Sequence, residues 1–143
     1  MNHRIAILSD IHGDTTALKA VIADARALGA TEYWLLGDIL LPGPGREDLF
    51  ELLDAIPITA SVRGNWDDCV LEALDGEYGL EDPQEIQLLR LTQYLMEGLD
   101  PKRIDWLRSL PLVEKKEVNG IRFSLTHNLP EKNYGGDLRP ANA

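Results

Sequence analysis

At 143 residues the chain has the length of one domain with a sizeable core, and 44% hydrophobic with 27% charged residues is the ordinary balance of a globular protein. A formal net charge of −10 disfavours a surface built for a phosphate backbone, so no nucleic-acid partner is expected. The single cysteine, Cys69, excludes a disulfide within the chain, and the apolar run at Ile5 to Leu8 is too short for a signal peptide or membrane span; a cytoplasmic location without a membrane partner is the expectation.

The stretch "RIAILSDIHGDTTAL" predicts a strand over Ile5 to Leu8, buried on both faces, then a helix. Leu18, Val21, Ile22, Ala25 and Leu28 recur at helical spacing. Asp10 and His12 thus fall at a strand exit, where open α/β sheets bind ligands. "EYWLLGD" repeats the device: a strand over Tyr33 to Leu36, then Gly37 and Asp38. The turn-rich "LLPGPG" precedes a helix marked by Leu49, Leu52, Leu53 and Ile56. A third strand within "PITASVRGNWDD" ends at Gly64 and Asn65, and Trp66 to Leu74 read as helix. A longer helix is predicted over Gln84 to Gly98, with Leu88, Leu91, Leu95 and Leu99 as its buried stripe. Asp100 and Pro101 are an N-cap and first-turn pair for a short helix ending near Leu110. In "LVEKKEVNGIRFSLTH", Asn119-Gly120 joins two strands as a hairpin that runs into His127. The order predicts a layered α/β domain, without internal repeats.

The polar candidates share one position type: Asp10, His12, Asp38, Asn65 and His127 all follow strands. Parallel strands bring their C-terminal ends to one edge, so these groups converge if the last strand points the same way. Carboxylate, imidazole and amide oxygen together are the donor set of borderline divalent cations. Taken singly, Asn65 is most simply a helix N-cap and His127 a satisfied polar residue; the ordered set is what carries the chemistry.

Asp10-Ile11-His12-Gly13, Gly37-Asp38, Gly64-Asn65-Trp66-Asp67 and Thr126-His127 resemble, in order, the motifs of the calcineurin-like metallophosphoesterases, in particular their small bacterial phosphodiesterase branch. The resemblance runs from the first strand through the hairpin. It implies a layered αββα domain and two divalent ions, with Mn, Fe, Zn and Ni all open. Asp10 and His12 hold one ion, Asp38 bridges, and Asn65 and His127 hold the other. It further implies hydrolysis of small phosphodiesters or phosphomonoesters by a metal-bridging hydroxide, made nucleophilic near neutral pH by two ions ~3.5–4 Å apart. Asn65 is a neutral donor that leaves positive charge for the phosphoryl group. His12 and His127 coordinate only when neutral, which weakens binding in acid.

Two departures from that pattern stand out. Many family members have histidine after the third-motif asparagine; here it is Trp66, whose indole donates a hydrogen bond but delivers no proton as an acid. Its simpler reading is hydrophobic packing. The family also closes its site with Gly-His-x-His, and "NLPEKNYGGDLRPANA" contains no histidine. His3 is no substitute, roughly 20 Å from Asp10 along the strand at about 3.3 Å per residue. Residues 1–143 are therefore expected to be a single, incomplete domain, truncated at the C-terminus, with a poorly ordered final loop and apolar surface that drives self-association. Alone, the chain is expected to bind metal weakly and turn over little.

Arg63 has two readings, a contact to a phosphate oxygen or a surface ion pair. Asp14 reads as a helix N-cap, and Asp67 and Asp68 as acids favouring a helix N-terminus. Cys69 reads as a small helix residue with no histidine near in sequence. The leading function is a metal-dependent phosphoesterase. Its rival is a catalytically impaired binding or scaffold module of the same fold.

Overall fold

The computed structural model describes residues 3–133. Three short strands, β1 (Ile5–Leu8), β2 (Glu32–Leu35) and β3 (Ile58–Ser61), form a parallel sheet in the order β1-β2-β3. Helices α1 (Thr15–Ala27) and α2 (Glu47–Asp54) are the crossovers between them. Three more helices follow, α3 (Asn65–Leu74), α4 (Pro83–Met96) and α5 (Pro101–Ser109). The chain ends its regular structure in an antiparallel hairpin of β4 (Val113–Val118) and β5 (Ile121–Thr126). Asn119 and Gly120 both take positive φ, 52° and 78°, as the two-residue hairpin turn requires.

Side-chain alternation along β2 separates two cores. Tyr33 and Leu35 point into the large helical core with Leu18, Ile22, Leu49, Leu53, Val70, Leu95 and Leu107. Trp34 points the other way, joining Ala60, Val62 and the hairpin's Leu125. Phe123 meets Trp34 edge to face, with ring centroids 5.3 Å apart. Among the described residues the layers are therefore helices, parallel sheet and hairpin. Side chains tie the hairpin to β3: Ser61 N donates to Glu114 Oε2 at 2.9 Å, and Lys116 Nζ to Thr59 O at 2.5 Å.

β1 departs from the expectation of a strand buried on both faces. It is an edge strand among the described residues, and Ile7 is 53% exposed. The cluster under the hairpin takes in Ile5 of β1 but not Ile7. α4 starts one residue earlier than its apolar stripe implies, because Asp82-Pro83 is a second cap and first-turn pair like Asp100-Pro101. Of the final segment, for which the sequence predicts poor order unless something covers it, the part up to Asn133 is anchored: Asn133 Nδ2 donates to Arg63 O and to Asp68 Oδ2, both at 2.8 Å. The rest of that loop lies outside the described residues. No helix among the described residues is long and apolar enough to cross a membrane.

Candidate metal centre

The exit of β1 is fastened to the exit of β2 by backbone. Asp10 N donates to Gly37 O at 3.1 Å, His12 N to Asp38 O at 2.9 Å and Gly13 N to Ile39 O at 2.9 Å. The turn-rich loop then folds back, with Gly43 N donating to His12 O and Gly45 N to Gly13 O, each at 2.8 Å. A Cβ on Gly43 would stand 2.3 Å from His12 O, so this approach admits only glycine. Asp10, His12 and Asp38 take φ of 56°, 51° and 54°. The left-handed region is uncommon for residues other than glycine, with Asp and His among those enriched there, and three such residues converging mark a constrained site.

The side chains meet at Asp38, which is 2% exposed. One donor atom each from Asp10, His12 and Asp38 lies within 4.8 Å of the others. His12 Nε2 is 3.5 Å from Asp10 Oδ1 and 3.5 Å from Asp38 Oδ2. From the hairpin, His127 Nε2 comes within 3.4 Å of Asp38 Oδ2 and 2.9 Å of Asn65 Oδ1. The last strand thus points the same way as the parallel ones, and all five candidates converge. His3 does not; it bonds Glu32 at 3.0 Å.

The imidazoles are oriented alike. His12 Nδ1 is 2.8 Å from Leu41 O, and His127 Nδ1 is 2.6 Å from Leu36 O. A carbonyl only accepts, so Nδ1 carries the proton in both rings, and in the neutral rings Nε2 presents a lone pair to the carboxylates. The distances fit a shared ion. Two donors each about 2.1 Å from one cation stand about 3.0–3.4 Å apart, depending on coordination geometry, and the His–Asp separations of 3.4 to 3.5 Å and the His–Asn separation of 2.9 Å lie close to that range. In the metal-free protein Asp38 instead pulls His127 up to about 9, by its hydrogen bond above all, with burial opposing.

A cavity of about 510 Å³ opens beside Asp10 and His12, lined also by Asp14, Leu18, Val21 and Pro42. Asp14 caps α1, accepting from Ala17 N at 2.8 Å. Trp66 packs partly buried against the helical core and meets His12 edge to face at 5.7 Å; its backbone N donates to Asp38 Oδ1 at 2.8 Å. Arg63 pairs with Asp68 through Nε, and its Nη1 donates to Leu110 O at 2.9 Å. That is the ion-pair geometry, directed at the end of α5. Burial pushes the half-buried Cys69 thiol up, away from nucleophilic character.

Sequence reasoning missed the backbone carbonyls of Leu36 and Leu41, which leave no signature in residue identity. It also under-read Asp67, which is fully buried and accepts from Asp38 N at 2.8 Å, Gly64 N at 2.9 Å and Ile39 N at 3.0 Å. Burial pushes its carboxyl up to about 6 against the pull of those bonds.

The family model for calcineurin-like phosphoesterases matches residues 3–140. An uncharacterized protein of Methanocaldococcus jannaschii is 31% identical over 131 residues, covering 89% of this chain and 50% of that protein. The crystal structure of a metallophosphoesterase from Sphaerobacter thermophilus is similar with a TM-score of 0.57 and 32% identity, covering 80% of this chain and 44% of that one. The chain belongs to the calcineurin-like phosphoesterase family, a family of hydrolases, and has its α/β fold. It spans about half the length of these relatives.

Proposed function

We propose that this chain carries the metal-binding part of a phosphoesterase acting on small phosphodiesters or phosphomonoesters. The supporting observation is the convergence on Asp38 Oδ2 of both Nε2 atoms, at 3.5 and 3.4 Å, with each Nδ1 proton held by a carbonyl. Asp10, His12 and Asp38 would hold one divalent ion, and Asp38, Asn65 and His127 a second. Bound ions of this class supply Lewis acidity and lower the pKa of water. The chain's own residues do the rest: Asp38 shares its carboxylate between the two sets, and Asn65 adds a donor without adding negative charge. Arg63 holds the start of α3 through Asp68, so we assign it positioning rather than a phosphate contact.

Partly packed Trp66, which carries no titratable group at the position where the family resemblance implies histidine, favours the second reading, a binding module of the same fold. Mn²⁺-dependent hydrolysis of a nitrophenyl phosphodiester separates the two. It should be measured on a protein extended to the relatives' length, beside its Asp38→Ala variant. Turnover that Asp38→Ala abolishes supports the hydrolase; absent turnover with intact Mn²⁺ binding supports the binding module.

A further inference from the structure

We infer that Asp67 is the positioning residue of this centre: its carboxylate clasps the exits of β2 and β3 together and so sets how tightly Asp38 and Asn65 hold an ion. The inference rests on the metal-centre reading above. Its observation is different, namely where three backbone protons go. Asp67 lies in the first turn of α3, and an acid there accepting from the N-cap N–H of Gly64 is half of a capping box. Capping explains only that bond. The other two come from Asp38 and Ile39, 29 and 28 residues away in sequence, and do nothing for the helix.

The link is reciprocal. Asp67 Oδ2 receives the N–H of Asp38, and Asp38 Oδ1 receives the N–H of Trp66 from the same turn as Asp67. Two carboxylates thus each hold a backbone N–H of the other's segment through charge-assisted bonds. The exits touch directly: a Cβ on Gly37 would lie 2.4 Å from Gly64 N, and one on Gly64 only 2.2 Å from Asp38 Oδ1. Asp38 needs such restraint, since its φ of 54° lies outside the conformations a side-chain-bearing residue prefers. Asp67 is not itself a ligand, because Oδ2 already receives two N–H groups, Oδ1 one, and the residue is 0% exposed. Removing groups that orient metal ligands typically weakens affinity ~10–100-fold.

The test compares Mn²⁺ binding by the parent chain, Asp67→Asn and Val70→Ala. Asparagine keeps the shape but leaves one accepting oxygen. Val70 is fully buried in the core on the same helix and is none of the candidate ligands, so its variant controls for lost stability. Asp67→Asn should raise the Kd at least tenfold and broaden the spin-resonance spectrum of bound Mn²⁺, while Val70→Ala stays within twofold of the parent. A Kd for Asp67→Asn within twofold, or an equal loss in Val70→Ala, would overturn the inference. Hydrogen exchange on the unsubstituted chain needs no variant to fold. The amides of Asp38, Ile39 and Gly64 should be protected, and added Zn²⁺ should slow them more than the amides of α5; free exchange at all three, or no response to Zn²⁺ in a chain that binds it, overturns the clasp. A parent chain that binds neither ion contradicts the metal-centre reading instead, and the three protection factors still report the clasp.

Discussion

His127 Nε2 stands 2.9 Å from Asn65 Oδ1, although 62 residues separate the two in sequence. The hairpin brings its end to the same edge as the parallel strands, and this one contact joins two layers of the fold at the candidate centre. A histidine and an amide oxygen at that distance either share a proton or share a cation. The alternatives have opposite pH dependence.

In the metal-free chain, Asp38 raises His127 above its ordinary value, to about 9. Binding an ion requires the neutral ring, so a proton must leave. Between the ordinary value of 6.5 and about 9 the metal-free protein holds that proton, and affinity for Mn²⁺ should rise with pH, by up to ~tenfold per unit for one proton. Calorimetry in buffers of different ionisation enthalpy should show proton release near pH 7.5. His127→Gln should lose that release. Uptake of a proton, or none, would contradict the assignment.

Gly64→Ala places a Cβ 2.2 Å from Asp38 Oδ1 and 2.4 Å from Asp38 N, where the backbone cannot yield cheaply. We expect a loss of about 1–3 kcal/mol in stability, typical of overpacking, and weaker Mn²⁺ binding. Gly79→Ala meets only Glu85 at an ordinary 3.5 Å and should retain the parent's Mn²⁺ affinity. Denaturant melts and Mn²⁺ titrations of both variants check the contrast.

Trp66 touches His12, so Trp66→His puts a second imidazole beside the centre. In an extended, active protein it should raise turnover more on esters with poor leaving groups than on nitrophenyl esters. General-acid catalysis is typically worth ~10²–10⁴-fold when well placed. Equal gains on both ester types would argue against proton delivery from this position.

Among the described residues β1 is an unpaired edge with Ile7 53% exposed, and α1 and its C-cap add Val21 and Leu28 at 44% and 60%. Such an edge favours pairing with another strand. The 143-residue chain should therefore sediment with a mass that rises with concentration, most clearly at high salt, where its charge of −10 is screened. Ile7→Lys should lower that mass. An unchanged concentration dependence in the variant would place the association elsewhere.

The convergence of the five candidate positions was legible because each combines a chemistry-bearing residue with a strand exit, and at Gly37-Asp38 and Gly64-Asn65 a glycine marks that exit. The hairpin was legible from Asn119-Gly120, whose positive φ values few other pairs tolerate. Burial of β1 was not legible, because a short apolar run does not say how many strands will flank it. Nor was the role of Asp67: an acid in a first helical turn looks the same whether it serves its own helix or a loop 29 residues away. The tautomers of His12 and His127 depend on carbonyls, which every residue possesses.

We propose that four strand exits build one metal centre around Asp38. Mn²⁺ titration of the purified chain beside Asp38→Ala, by calorimetry with spin-resonance readout, tests it most directly. The parent should show weak but saturable binding and the variant none at the same concentrations, with the fold retained in circular dichroism. Binding by Asp38→Ala within threefold of the parent would contradict it.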